Sequence, residues 1–334
     1  MMKKGLLLIN LGTPDAPDVA SVRRYLREFL ADGRVITLPA LLRYILLYGV
    51  ILPFRPKQTA KAYQAIWTQQ GSPLLIHSEA LQNKVQTMLG EKWTVSLGMR
   101  YGKPSLKDAL QTLKHCDNIT ILPLYPQYSS AATGSSLNQI MQLMAKDDIL
   151  PTLYMIRDFY QHPSFIKAQA NLIKPYLENH DFLLFSYHGV PENHILKEEC
   201  QTLCHTSCST ASPRYSGCYR AQCIQTTKVL AETLGLSKEH YALSFQSRLG
   251  KTPWIKPYTD VLLQDLAASG VKRLAVTCPS FVADCLETIE EIGIQAKQQW
   301  QKNGGETLTL IPSLNAETSW AKAITEIIEP DVGK

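Results

Sequence analysis

The stretch "ADCLETIEEI" sets Asp284, Glu287 and Glu291 at i, i+3 and i+7. On an α-helix, turning about 100° per residue, the three share one face. Carboxylates held in line repel one another, which raises some of their pKa values and makes a hard-cation site or a proton relay. A plainer reading accounts for two of them, because Asp-x-x-Glu is also a helix capping box and acids are favoured at a helix N-terminus. Glu291 is the residue that capping leaves over. In "LLFSYHGVP", His188 comes straight after an apolar run, and Gly189 permits a turn beyond it. Histidine has an ordinary pKa of about 6.5, so one at a strand end can serve as base or metal ligand. The competing reading is a loop histidine bonded to backbone.

Further polar groups follow other apolar runs. "LGMRYGKP" supplies Arg100 and Tyr101, and "PLYPQYSSAATGSS" supplies Tyr125, Tyr128, Ser129, Ser130 and Thr133. The second stretch can hold an anion at the start of the next helix. It is not a P-loop, since the Gly-Lys-Ser/Thr signature is missing. Ordinary capping explains most of these hydroxyls equally well. "SFQSRLGKTPW" adds Gln246, Arg248 and Trp254. Five of the eight cysteines crowd into one segment as Cys200, Cys204, Cys208, Cys218 and Cys223. Zinc ribbons use tight C-x2-C pairs, and none is present. The looser spacing is compatible with an iron–sulfur cluster, which takes four thiolates and leaves one spare. Cys116 and Cys278 lie in strand patterns and read as core.

These residues need elements to hold them. Eight apolar, β-branched runs alternate with amphipathic stretches: "GLLLINLG", "WTVSLGMR", "NITILPLY", "PTLYMIR", "DFLLFSYHG", "YALSFQS", "RLAVTCPS" and "TLTLIPS". Such alternation predicts parallel sheets covered by helices. One large sheet, two four-stranded units and a (β/α)8 barrel all fit the count. Two units fit best, because "ITILPLYPQYSSAATGSSLNQIM" and "LAVTCPSFVADCLETIEEI" share one plan of strand, proline, aromatic, polar loop and helix. The boundary falls near Asp158–Ser164. Ligands of open α/β sheets sit beyond the carboxyl ends of strands, where the chemistry-bearing residues cluster.

The 334 residues are 45% hydrophobic and 19% charged, with a formal charge of +5. That is an ordinary globular composition, and the absence of a Lys/Arg run argues against a nucleic-acid partner. The apolar start, Gly5 to Leu11, reads as a buried first strand rather than a signal sequence. "YILLYGVILPF", Tyr44 to Phe54, is the longest apolar stretch and falls well short of the roughly 20 residues that span a membrane. A soluble, cytoplasmic protein is therefore expected, and reducing conditions there make clustered cysteines metal or redox ligands before disulfides.

Together, "LINLGTPDAP", "GMRYGKP", "LPLYPQYSSAATGSS", "FSYHGVP", "FQSRLGKTPWIKPYTD" and "CPSFVADCLETIEEI" resemble the ferrochelatase family in content and order. The resemblance implies an α/β protein of two Rossmann-like domains, each with a four-stranded parallel sheet, in the manner of class II chelatases. It implies a porphyrin cleft between them. The domains would cover 1–160, with an apolar lip at 38–67, and 161–315, with the cysteine insertion at 200–223. A helix at 316–330 would return to the first domain. The implied activity is insertion of ferrous iron, as substrate, into protoporphyrin IX. A chelatase for another tetrapyrrole or metal, and an iron–sulfur or haem-binding sensor without turnover, are the alternatives. Carried over, His188 and Glu287 are the catalytic pair, and Asp284 and Glu291 extend them as a metal or proton path. Arg100, Tyr101 and Tyr128 would line the porphyrin pocket, and the lip would rest on the inner face of the cytoplasmic membrane. Family members with an internal cysteine insertion imply a [2Fe–2S] cluster on Cys204, Cys208, Cys218 and Cys223, with Cys200 as the fifth candidate.

Overall fold

Each of the eight apolar runs is a strand in the computed structural model, which describes residues 3–195, 217–250 and 252–329. In chain order the first part contains β1 Lys4–Thr13, α1 Val19–Ala31, α2 Ala40–Leu46, α3 Leu52–Ile66, α4 Pro73–Leu89, β2 Trp93–Gly102, α5 Leu106–Thr112, β3 Asn118–Pro123, α6 Ser135–Met144 and β4 Thr152–Met155. It continues with α7 Pro163–Leu177, β5 Phe182–His188, α8 Tyr219–Leu234, β6 Tyr241–Gln246, α9 Thr259–Ala268, β7 Arg273–Thr277, α10 Lys297–Lys302, β8 Thr307–Leu310 and α11 Thr318–Ile328. Three π-helical segments interrupt the α-helices, at Leu47–Ile51, Ser130–Gly134 and Leu286–Ala296.

The strands form two all-parallel sheets, ordered β2-β1-β3-β4 and β6-β5-β7-β8. Interior parallel strands are covered on both faces, and so they are apolar without alternation. β1 is buried from Gly5 to Asn10, and β5 from Leu183 to Tyr187. The edge strands β4 and β8 have four residues each and are partly exposed. In both sheets the order reverses beside the first strand, between β1 and β3 and between β5 and β7. Crevices open at the carboxyl ends of strands flanking such a reversal.

The chain divides into two compact units. One comprises 1–125, 129–158 and 315–334, and the other 126–128 and 159–314. In the first, Leu7, Ile9, Leu113, Ile121 and Ile140 pack α5 and α6 onto the sheet. The last helix, α11, belongs to this unit: Lys84 of α4 donates to Ala316 O (2.6 Å) and Thr318 Oγ1 (3.2 Å), and Trp320 is fully buried. In the second, Leu184, Leu263, Val276, Ile292 and Trp300 form the core between the sheet and its helices. Each such large side chain contributes about 1.5–3 kcal/mol by leaving water.

The helix α7 is capped by His162, whose Nδ1 accepts from Ser164 N. Within the 38–67 segment, Arg43 turns back to donate to Leu38 O and Ile36 O. Leu47 is fully buried, whereas Leu41, Leu42, Tyr44, Ile45, Tyr48, Val50 and Phe54 are exposed. Among the described residues no helix is long and apolar enough to cross a membrane.

Candidate active site

His188 is the last residue of β5 and pairs in register with Gln246, the last of β6. Its backbone is held on both sides. The His188 N–H donates to Ser280 Oγ (3.0 Å), and its carbonyl accepts from Tyr219 Oη (2.8 Å). Nδ1 lies 2.5 Å from Gly189 O. A carbonyl only accepts, so Nδ1 carries the hydrogen, and in the neutral ring Nε2 keeps its lone pair. The imidazole sits between the rings of Trp254 and Phe281, at 6.3 and 6.1 Å between centroids. Gly189 is required here: a Cβ on it would lie 2.7 Å from Gln246 O and 3.1 Å from the Trp254 ring.

The carboxylates come from the π-helix Leu286–Ala296, which follows β7. Its bonding to the fifth residue widens the turn relative to an α-helix, a feature concentrated at functional sites. Residues four apart then stand nearly in line, and those residues are Glu287 and Glu291. The expected single face of three acids is not formed. The helix starts later than the sequence suggests, with Cys285 as N-cap, and the capping box joins Cys285 to Thr288 rather than Asp284 to Glu287. Asp284 precedes the helix, is buried, and accepts from Thr288 Oγ1 (3.1 Å) and Ser313 N (3.0 Å). These bonds tie the loop before the helix to the helix's first turn and to the segment after β8. Among the described residues no three His, Cys, Asp or Glu side chains converge as a set able to hold a metal ion.

Glu291 is the most constrained of the acids. Oε1 accepts from Ser247 N (2.6 Å), and Oε2 from Ser247 Oγ (2.5 Å) and Gln246 Nε2 (3.3 Å). Burial pushes its carboxyl above the ordinary range. The Ser247 hydroxyl and the nearby His188 pull it down, and the Glu287 carboxylate pushes it up. These opposing influences put His188 and Glu287 each within electrostatic reach of Glu291. Gln246 and Ser247 were not legible as partners of an acid, since nothing in "SFQS" announces a contact made some 45 residues further on. Arg248, from the same segment, pairs instead with Asp260 (2.5 Å).

Arg100 and Tyr101 end β2 in the other unit, around Asp32, which the sequence did not single out. Asp32 Oδ2 accepts from Arg100 (2.7 Å), Tyr101 Oη (2.9 Å) and Ser135 Oγ (2.5 Å). Burial opposes its charge, but the Ser135, Arg34 backbone, Tyr101 and Arg100 contacts outweigh that and hold its pKa below the usual carboxylate range. Tyr101 is 1% exposed, and burial pushes its hydroxyl upward. As it stands, Tyr101 is an interior support beneath Arg100 rather than an exposed lining group. Tyr128 is half-buried, and its N–H donates to Gln222 Oε1 (2.6 Å).

Cys218 is the N-cap of α8, and Cys223 lies in the helix's second turn, fully buried. Burial pushes the Cys223 thiol well up, and Cys218 adds to the rise, so the two sulfurs feel one another. Such burial favours the neutral thiol at Cys223. Cys200, Cys204 and Cys208 lie outside the described residues.

Two four-stranded parallel sheets, each with its order reversing beside the first strand and covered by helices, make a class II chelatase-type fold. Solved structures bear this out at the level of fold. "SirB from Bacillus subtilis with Fe3+" aligns with a TM-score of 0.55 at 9% identity, covering 97% of this chain and 94% of that one. The sirohydrochlorin chelatase SirB of Bacillus subtilis subspecies spizizenii in complex with cobalt aligns at 0.54, with 9% identity over 97% and 93% of the two chains. Sequence comparison is more specific. The ferrochelatase family model matches residues 3–332. Ferrochelatase of Legionella pneumophila (strain Corby) is 54% identical over 331 residues, 99% of this chain and 100% of the relative. Ferrochelatase of Coxiella burnetii (strain Dugway 5J108-111) is 49% identical over 332 residues, 97% and 93% of the two. The chain belongs to the ferrochelatase family.

Proposed function

We propose that this protein inserts ferrous iron into protoporphyrin IX, forming protohaem and releasing two protons, a lyase-type metal chelation. Family membership across nearly the whole chain supports the reaction. The observation that carries the site is His188, whose Nε2 lone pair stands at a strand end within electrostatic reach of Glu291, which in turn feels Glu287. A free-base porphyrin must lose two N–H protons as the metal enters. Nε2 accepts a pyrrole proton, and the carboxylates pass protons or receive the incoming cation. Donors already in place near the metal let it shed its water in steps rather than all at once. Asp284 supports the loop before these acids, and Arg100, with Tyr101 beneath it, and Tyr128 bind the macrocycle.

The exposed Leu41, Leu42, Ile45, Tyr48, Val50 and Phe54 support shallow contact with a membrane that supplies the water-insoluble porphyrin. On this reading the protein works in the cytoplasm, on the inner face of its membrane. Cys204, Cys208, Cys218 and Cys223 would hold a [2Fe–2S] cluster, with Cys200 as alternate. Its role would be structural or sensory, because iron enters and stays ferrous and insertion needs no electron.

The test is anaerobic metallation of protoporphyrin IX by the purified protein, with coproporphyrin and other divalent metals as alternative substrates. His188→Ala and Glu287→Gln are each expected to lower turnover at least 100-fold with the fold retained, the range of general-base effects. Near-normal turnover in either variant would refute the assignment of the pair.

A further inference from the structure

Ser247 has φ 66°, and among the described residues only Asn315 shares that feature outside glycine. L-residues seldom adopt this left-handed conformation, and a serine held in it points to a constraint from its surroundings. Here the constraint is visible. The left-handed turn brings the Ser247 N–H and Oγ to opposite oxygens of one carboxylate, Glu291, at 2.6 and 2.5 Å. Gln246, just before it, is 3% exposed and has both ends of its amide committed. Oε1 accepts from Ser186 Oγ (2.7 Å) and faces Cys278 Sγ (3.6 Å). Nε2 donates to Glu287 O (2.7 Å) and Glu291 Oε2 (3.3 Å). The Gln246 carbonyl accepts from Gly189 N (2.8 Å), the residue after His188. Ser186 is held in turn by Thr259, which also bonds Ser244 (2.9 and 2.8 Å).

We infer that Gln246 and Ser247 are the positioning residues of the metal-insertion site, a clamp that fixes Glu291 and the first turn of the π-helix against the strand end bearing His188. Neither is a catalytic residue; both act through Glu291 and Glu287. The inference rests on the function proposed above, and it assigns the pair to the metal side of the reaction. Losing the clamp frees Glu291 to swing, which weakens handling of the incoming cation and leaves binding of the macrocycle alone.

Four variants test this. Ser247→Ala removes Oγ, Ser247→Gly removes Oγ while relaxing the left-handed backbone, and Ser247→Asn restores a donor in a residue that tolerates that conformation. Gln246→Glu sets an acceptor against two acceptors. Steady-state metallation with Zn(II) as the probe metal should show the metal KM rising about tenfold in Ser247→Ala and Ser247→Gly, the scale of one hydrogen bond to a charged group. Gln246→Glu should lose more, Ser247→Asn should recover most of the effect, and porphyrin affinity measured by fluorescence should stay within about twofold. A second readout needs no turnover. Amide hydrogen exchange over 286–296 should accelerate in the clamp variants, with 219–234 unchanged. Weaker porphyrin binding at an unchanged metal KM would overturn the inference, as would unchanged exchange in every variant. If the wild type metallates no porphyrin, the proposed function fails, and the exchange data alone still decide whether the clamp exists.

Discussion

Adding one methyl group at Gly189 should separate placement of His188 from its chemistry. A Cβ there would lie 2.7 Å from Gln246 O, about 0.7 Å inside the 3.4 Å at which ordinary contact begins. The obstacle is backbone of a neighbouring strand, not a flexible tip, and the Trp254 ring closes the other side at 3.1 Å. The strain can relax only by moving the end of β5 away from β6, stretching the Gly189 N to Gln246 O bond and carrying His188 with it. Overpacking of this kind costs about 1–3 kcal/mol. For a unit of some 150 residues that is a fall of roughly 3–10 °C in Tm. Displacing a reacting group by most of an ångström costs up to about 100-fold in rate. Gly189→Ala should therefore fold, melt a few degrees early and metallate porphyrin 10–100-fold more slowly while keeping its imidazole. The assay pairs thermal unfolding with porphyrin fluorescence during metallation. Wild-type turnover at unchanged Tm would refute the reasoning, because it would mean that the strand ends yield without moving the histidine.

Three other outcomes are expected. Leu41, Ile45 and Phe54 are exposed, so changing them together to serine should reduce recovery on anionic vesicles by several-fold with Tm unchanged; equal partitioning would remove the lip's membrane role. Asp32→Asn should cost about 1–3 kcal/mol at neutral pH through weakened bonds to Arg100, Tyr101 and Ser135. Asp32 is depressed in the folded protein, so its contribution is full above the ordinary value of 3.8 and is lost as pH falls through the folded pKa. The Tm gap between wild type and variant should therefore narrow as pH falls below the ordinary value of 3.8, and a gap that does not narrow would contradict the assignment. Serine variants of Cys204, Cys208, Cys218 and Cys223 should lose the red-brown colour and about two irons and two sulfides per chain, while Cys116 and Cys278 variants keep them. A colourless protein with one bound zinc would refute the cluster.

The sheets were legible in the sequence because parallel strands advertise themselves: a strand covered on both faces must be apolar throughout, and β1 and β5 are. His188 was legible for the same reason, as the first polar group after such a run. The acids were legible in type but not in geometry. A 3.6-residue period drew Asp284, Glu287 and Glu291 onto one face, whereas the π-helix begins only after Cys285 and leaves Asp284 to bond Thr288 and Ser313. No periodicity signals a change from α to π bonding, because it arises from tertiary contacts such as Gln246 to Glu287 O. Asp32 and Ser247 were illegible for a related reason. Each works through a partner far along the chain, and a single Asp or Ser in a turn looks the same whether or not such a partner exists.

The two units sharpen the question of where function resides. Both use the same strand order. In both, the second strand is extended by a carbonyl from a following proline, Met99 N to Pro104 O and Phe245 N to Pro257 O. In both, a π-helix follows the third strand. The scaffold is thus present twice, but its charges are not. The π-helix Ser130–Gly134 has five residues and no acid, and the nearby Asp32 is neutralised by Arg100. The π-helix Leu286–Ala296 has eleven residues and presents Glu287 and Glu291, and among the described residues no arginine or lysine is bonded to either. Among the described residues the donors to Glu291 are neutral, and they fix its position without an ion pair. A carboxylate meant to meet a passing cation needs that arrangement, since an ion pair would have to be broken at every turnover. What distinguishes the second unit is therefore not its fold but the choice of serine and glutamine, rather than arginine, to hold the acid.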